Sequence, residues 1–545
     1  MKCDTKRILL FSCPAGLVCG FLLEYGSLLE AGESILKLRA ANLWHILVYS
    51  IIAGILVGFL LTKIKYRENP GNENGTAIFR RKWFLLCWLS LFICWIPAFL
   101  AYYPTIWAYD VYSQVPDITG GVLTTHHPLL HTLYIETIVQ IGSNGNDYET
   151  GMVLLSLTQM CALSGMFAYG LEKVRAWGCG KVSRGILFCF FAFFPVNSIL
   201  SVSMTKDVLF AGCVLVCVLK FYDMADNPAL FFHSKKKWIS FLVFVCLMCS
   251  LRNNGIYVFA AVMILGIFLW RREYRKRFLL LCGAGICVYA LFQFSLYRIS
   301  GASNGSEMEA YSVPMQCLVG TAIRHPELIP AYGTGQMLMD AIPRDIFPEN
   351  LSDSYGPHNV DFVKARWEED AQGEGFDSVR LLKAWIKYGL KYPLDYLDIW
   401  GTLTLGAWYP FDTTHANIYS GERQGYLLTD FKIVPGMNTE RPASKWPALE
   451  ALYEKIATEN VHQTIPVISL FFAPATYCWI MFFAILHALY WRKYRELLPL
   501  GVLFFYWGTV LLGPTIIVRY LYAVIVSVPF VLCRMSVCKR EPALK

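Results

Sequence analysis

Charge is scarce in this chain. Asp, Glu, Lys and Arg make up 16% of its 545 residues and hydrophobic residues 56%, whereas soluble chains carry about 25% charge, so composition argues against a soluble enzyme of this length. Paired cysteine motifs are lacking too. There are 18 cysteines, but no CxxC pair has a second pair at zinc-ligand spacing. Nearly all lie in apolar runs or at their ends, with only Cys317 well inside a polar region. That excludes a zinc framework and argues against a disulfide one, and the cysteines read as small apolar packing residues. No repeat with a period of about 20 to 50 residues and no low-complexity tract is present, which removes the signature of a solenoid.

What the chain does have is uncharged runs long enough to cross a hydrocarbon core of about 30 Å. They fall at 8–23, 40–62, 83–101, 151–171, 185–203, 208–222, 238–251, 255–270, 278–297, 466–490, 497–518 and 520–533. The expected fold is an all-α polytopic membrane protein of about 12 transmembrane helices. The first run is followed by Glu24 and Glu30 rather than a small-residue cleavage site, so it reads as a retained anchor.

Lys and Arg cluster in alternate short loops: Lys63 to Lys82, Lys173 to Arg184, Lys235 to Lys237, Arg271 to Arg277 and Arg492 to Arg495. The positive-inside rule makes those loops cytoplasmic and places both termini with them. On the opposite face, residues 102–150 contain no Lys or Arg, and residues 298–465 hold 14 basic against 22 acidic residues. The net charge of +8 is therefore topological and implies no nucleic-acid partner. Four regions follow. Residues 1–82 are two helices and a basic linker with NPGNENG at 69–75, and 83–297 are a transmembrane module whose aromatic outer loop, 102–150, suits interfacial helices. Residues 298–465 are a mainly helical outer domain, and 466–545 are the last spans. Within 379–409 the apolar residues recur at helical spacing, and Asp395 and Asp398 argue for helices on the membrane surface rather than another span.

The few ionisable residues bordering the spans gather at outward ends. Asp110 follows the third span, Lys206 and Asp207 separate the fifth from the sixth, Arg252 with Asn253 and Asn254 separates two short spans, and Arg519 with Tyr520 separates the last two. Charge near membrane depth is costly unless paired or hydrated, so these residues imply a polar pocket at one level. Each also has a plainer reading. Asp110 suits a solvated interface carboxylate, Arg252 and Arg519 suit anchors snorkelling to headgroups, and Lys206 and Asp207 suit mutual neutralisation. His126 and His127, with His131 one turn on, suit capping or core positions; no carboxylate lies at matched spacing, so metal ligation is the weaker reading.

The segments YYPTIWAYD, ending at Asp110, and THHPLLHTL resemble the C-type (GT-C) membrane glycosyltransferases, the superfamily that includes the protein O-mannosyltransferases and the bacterial aminoarabinose lipid transferases. SVSMTKDVLF at 201–210, LRNNGIYVFA at 251–260, SVPMQ at 312–316, YPLDYLDIW at 392–400 and VRYLYAVIVSVPF at 518–530 are similar to segments of uncharacterised bacterial relatives of that superfamily. The resemblance implies inverting transfer of a sugar from a polyprenyl-phosphate donor to an envelope glycan, lipid or protein, at the outer face of a bacterial cytoplasmic membrane. Asp110 would be the base. Arg252, Arg519, Lys206 and Tyr520 would bind the phosphate, Trp107, Tyr109 and Tyr112 would stack on the sugar, and His126, His127, Asp207, Asn253 and Asn254 would support them. Many members carry two adjacent acidic residues, whereas Val111 follows Asp110 here. A lone Asp is a poor divalent site, so a metal is the less favoured arrangement and no cofactor is implied. A polysaccharide polymerase or ligase and a secondary transporter remain the alternatives; the transporter should show two similar halves, and these halves differ.

The topology is tested by cysteine labelling. Asn304→Cys should react with an impermeant thiol reagent applied from outside and Asn72→Cys should not; the reverse pattern inverts the assignment.

Overall fold

The computed structural model describes residues 5–65, 67–68, 77–111, 114, 123–144, 147–305, 307–328, 337, 341–342, 355–374, 376–412, 426–431, 441–535 and 537–538. Among the described residues the protein is all-α apart from a two-residue parallel pairing of Arg67–Glu68 with Val537–Cys538 and a few isolated bridges. Among the described residues seven helices are long and apolar enough to span a membrane: Thr5–Glu30, Ala40–Lys63, Arg81–Ala101, Glu149–Ala176, Lys206–Asp226, Arg272–Ser300 and Val518–Met535. Lys181–Phe193 and Pro195–Ser201, bent by 49°, make an eighth if they count as one span.

The expectation of 12 is thus corrected, for a physical reason. The apolar runs at 238–251, 255–270, 466–490 and 497–518 are cut by polar or Pro-containing breaks. Their main helices, Lys235–Leu251, Asn254–Leu269, Pro474–Tyr490 and Leu497–Val510, have 17, 16, 17 and 14 residues, or about 21 to 26 Å at 1.5 Å per residue. Each is shorter than the shortest of the seven, Val518–Met535 with 18 residues, and lies at or below the lower end of the usual range of about 17 to 25 residues for a span.

Lys206–Asp226 is the axle of the bundle, with 89% of its apolar window buried. Around it pack Glu149–Ala176, Lys235–Leu251, Leu497–Val510 and Val518–Met535. The first two helices form a separate hairpin that approaches closely through small residues. A Cβ on Gly20 would lie 2.2 Å from the Ser50 hydroxyl and 2.6 Å from the Ile46 carbonyl, so only glycine permits that backbone contact. The described cysteines are free, and many are buried among apolar side chains.

The 298–465 region has its own core, in which Met315, Leu318, Val363, Trp367, Leu381 and Tyr388 are buried. It is sewn to the bundle by backbone polar groups: the Val360 N–H donates to the Pro514 carbonyl at 2.9 Å and the Trp400 indole to the Leu511 carbonyl at 3.0 Å. The helix Pro393–Leu403 is not a span, and its acidic residues point inward. Asp398 is 0% exposed. It accepts hydrogen bonds from Tyr25 at 3.0 Å, Ser34 at 2.5 Å and Arg324 at 3.1 Å, and so ties the N-terminal hairpin to this region. Asp395 shares the Arg324 guanidinium at 3.0 Å and pairs with His325 at 3.0 Å.

Removing Asp398 takes the acceptor from the Tyr25 and Ser34 hydroxyls and leaves Arg324 with Asp395 alone. Asp398→Ala should therefore lower stability by about 2 kcal/mol, read as a fall in the thermal midpoint of the detergent-solubilised protein with faster proteolysis between the first two helices. An unchanged midpoint would mean that water already satisfies this knot.

Candidate functional site

Asp110, Lys206, Asp207, Arg252 and Arg519 do meet, and backbone pairing is what brings the first three together. Residues 105–106 run parallel to 202–204: the Ile106 N–H donates to the Val202 carbonyl at 2.9 Å and the Met204 N–H to the Ile106 carbonyl at 3.1 Å. Here the helix ending at Ser201 has unwound, which at membrane depth requires partners for its carbonyls. Gln159 supplies them, its side-chain amide lying 3.4, 3.0 and 2.9 Å from the carbonyls of Leu200, Ser201 and Ser203. The helix restarts at Lys206 with Asp207 in its first turn, where a carboxylate is favoured by the helix dipole.

The charged side chains then alternate in sign. Lys206 pairs with Asp110, whose two oxygens also take the fork of Arg519 at 2.9 and 3.0 Å. Arg519 reaches on to Asp207 at 2.8 Å and to the Thr205 hydroxyl at 3.1 Å, and Arg252 closes the series on the other Asp207 oxygen at 2.7 Å. The Tyr520 ring sits between the two guanidinium groups, 4.7 Å from that of Arg519 and 4.5 Å from that of Arg252, a cation–π arrangement on both sides. Arg519 is 3% and Asp207 1% exposed. The three cations and two carboxylates leave one net positive charge.

Several candidates take other places. Trp107 was expected to stack on a sugar. Its ring is instead fully buried against Val111, Ile135, Met152 and Met204, because the strand-like pairing at Ile106 turns the next side chain into the apolar core. Tyr109 has its ring 4.5 Å from the Arg519 guanidinium, and its hydroxyl accepts from the Leu428 N–H at 2.7 Å. Its φ of 61° is the left-handed conformation, which costs a non-glycine residue about 1 to 2 kcal/mol. Those two contacts hold it there, directly before Asp110. Asn254 donates to Thr509 at 3.3 Å, and Asn253 stands at the start of the following helix without a side-chain capping bond, so both lie at the break after Arg252 rather than in the network. Tyr112 lies outside the described residues. His126 and His127 pack edge to face at 4.6 Å, and His127 is within electrostatic reach of Asp110.

Sequence reasoning missed Thr205 and Tyr506. Thr205 adjoins Lys206 and was a readable signal. Tyr506 accepts from Arg252 at 2.9 Å out of a run, LLPLGVLFFYWGTV, that carries no polar warning. Among the described residues no group of three or more His, Cys, Asp and Glu is placed to hold a metal ion.

Burial opposes the Asp110 charge, but Arg519 and Lys206 overcome it and hold the carboxyl well below the usual range. Burial, with Lys206 nearby, brings the imidazoles of His127 and His131 down to about 3. Fold and site together define an all-α membrane protein with a buried, net-positive ion-pair network at one end of its helices. The chain belongs to DUF6020, a family of unknown function, whose model matches residues 115–544. No curated protein and no solved structure matches it.

The buried imidazoles fix a pH dependence. Their folded values lie below the ordinary value of 6.5, so the unfolded chain binds protons that the folded chain refuses as pH falls from about 6.5 towards 3. Stability should decline across that window, and the depressed Asp110 adds to the decline below about pH 4. In thermal unfolding against pH, His131→Gln should flatten the slope between about pH 6 and 4; a wild-type midpoint that rises on acidification contradicts the assignment.

Proposed function

We propose that the protein is a membrane glycosyltransferase that moves a sugar from a polyprenyl-phosphate donor to an envelope glycan, lipid or protein acceptor. On this reading it lies in the bacterial cytoplasmic membrane, with both termini inside and the charged network facing outward. The observation that carries it is the charge balance: Lys206, Arg252 and Arg519 against Asp110 and Asp207 leave one positive charge at the end of an apolar bundle. A sugar phosphodiester on a prenyl chain carries one negative charge and an apolar tail, and so complements both features. The helix Ser378–Lys391 supports a membrane-surface placement of the outer region, since Val379, Ile386 and Leu390 are exposed beside Lys383 and Lys387.

In the resting network Asp110 is a weak base, because Arg519 and Lys206 favour its ionised form. Phosphate oxygens compete for those same donors. As they take over Arg519 and Lys206, Asp110 loses its cationic neighbours and gains basicity. The acceptor hydroxyl then gives its proton to Asp110 while its oxygen attacks the anomeric carbon. The bond from that carbon to the phosphate oxygen breaks on the opposite face, with inversion. The phosphate leaves with the bonding electron pair, stabilised by guanidinium groups already in position.

A reconstituted transfer assay tests this. Asp110→Asn should lower turnover by roughly 10² to 10⁴ fold with donor binding retained, whereas Arg519→Ala should weaken both donor binding and turnover. Near-normal transfer by the Asn variant removes Asp110 from the chemistry. Movement of a solute across sealed vesicles with no glycosidic bond made would favour a transporter instead.

A further inference from the structure

Most cysteines of this chain pack as small apolar groups. Cys213, Cys217 and Cys249 are buried in the core, and Cys161, Cys189 and Cys287 are exposed on apolar helices. Two others stand apart. Cys179 and Cys533 are separated by 354 positions, yet the Cys179 Sγ donates to the Cys533 carbonyl at 3.8 Å and the two thiols hydrogen-bond to each other.

Local structure fixes this meeting from both sides. Helix Glu149–Ala176 ends in a turn in which the Gly178 N–H returns to the Arg175 carbonyl at 2.9 Å and the Cys179 N–H to the Val174 carbonyl at 3.2 Å. Gly178 takes the left-handed conformation that this ending requires, with a φ of 83°. The next helix starts at Lys181. Cys179 is thus held in a short turn, half-buried itself, with an exposed glycine on each side. Cys533 lies in the last turn of Val518–Met535. Its neighbour Arg534 is anchored on Asp226 and Glu496, and the same guanidinium lies 5.5 Å from the ring of Trp177, two residues before Cys179.

The chemistry at Cys179 also differs from that of a buried packing thiol. The hydrogen bond with Cys533 outweighs burial and, with Arg184 and Arg534 nearby, holds the Cys179 thiol below its ordinary range. A thiol of that kind supplies more thiolate, the reactive form, and the flanking glycines leave it open to small reagents in water.

We propose that Cys179 and Cys533 form a redox modification site, at which a water-borne peroxide converts the two thiols into an intramolecular disulfide. The Cys179 thiolate attacks one oxygen of hydrogen peroxide, the O–O bond breaks, and the departing hydroxide takes up the thiol proton as water. The Cys533 sulfur then attacks the resulting sulfenic sulfur; the S–O bond breaks, and the hydroxyl leaves with the Cys533 proton as a second water. Two thiols are oxidised to one disulfide and one peroxide is reduced to two waters. The positive-inside assignment puts this end of the helices in the cytoplasm, where thiols are kept reduced, so the bond reports an oxidising load. It also ties the turn after Glu149–Ala176 to the helix that carries Arg519, about 21 Å away along the same axis at 1.5 Å per residue.

Peptide mapping of the full chain in detergent tests the site. The reduced protein is treated with graded hydrogen peroxide, remaining thiols are blocked with N-ethylmaleimide, and trypsin releases residues 176–181 and 520–534. These two peptides should appear joined at about tenfold less peroxide than modifies the other cysteines, and dithiothreitol should separate them. Cys533→Ser should leave Cys179 as a sulfenic acid that dimedone traps, whereas Cys179→Ser should leave Cys533 unmodified over the same range. Oxidation should raise the thermal midpoint of wild type and leave that of either variant unchanged. The wild-type map is decisive even where a variant fails to fold: if the other cysteines oxidise while these two peptides stay separate, or if they join only between chains, the site is overturned.

Discussion

The structure depends on burying the Arg519 guanidinium inside an apolar bundle. An unpaired charge there costs several kcal/mol even after relaxation, and two carboxylates from different segments answer it: Asp110 at 2.9 Å and Asp207 at 2.8 Å. Neither can reach Arg519 from an ordinary continuous helix. The chain has to unwind between Ser201 and Lys206, and Gln159 has to satisfy the exposed carbonyls. The parallel pairing at Ile106 and the break before Lys206 bring these groups to one level.

Two other polar knots obey the same physics with a different outcome. Arg534, at the far end of the helix that begins near Arg519, pairs with Asp226 and with Glu496 at 2.6 Å. Arg324 is shared by Asp395 and Asp398 at 3.0 and 3.1 Å. In each, one guanidinium faces two carboxylates, the arrangement of a clamp that locks elements together. Of the three, the Asp110 network has cations in excess, Lys206, Arg252 and Arg519 against Asp110 and Asp207. That excess, rather than the presence of buried charge, is what the proposed anionic donor would balance.

On the proposed transferase reading, one carboxylate would serve both structure and chemistry. In the resting arrangement Asp110 is a counter-ion to Lys206 and Arg519. A phosphate that bound those two cations would release it, so the base would act only with donor present, which would limit side reaction with water.

The membrane class, the helical content and the list of charges worth watching were determined by the sequence alone, because apolar run length and the scarcity of Lys and Arg are properties read along one dimension. Asp110, Lys206, Asp207, Arg252 and Arg519 stood out for that reason. Which of them touch was decided by tertiary structure, since the pairs that matter are separated by 96 positions for Lys206 with Asp110 and by 409 for Arg519 with Asp110. Span length was also misread at this level: an apolar run shows that a segment avoids water, but not that Pro474 or the extended Arg252 will end its helix. Trp107 and Tyr506 mark the same limit. An aromatic side chain has no sign of charge to place it, so only packing decides that the first fills the core and the second holds Arg252.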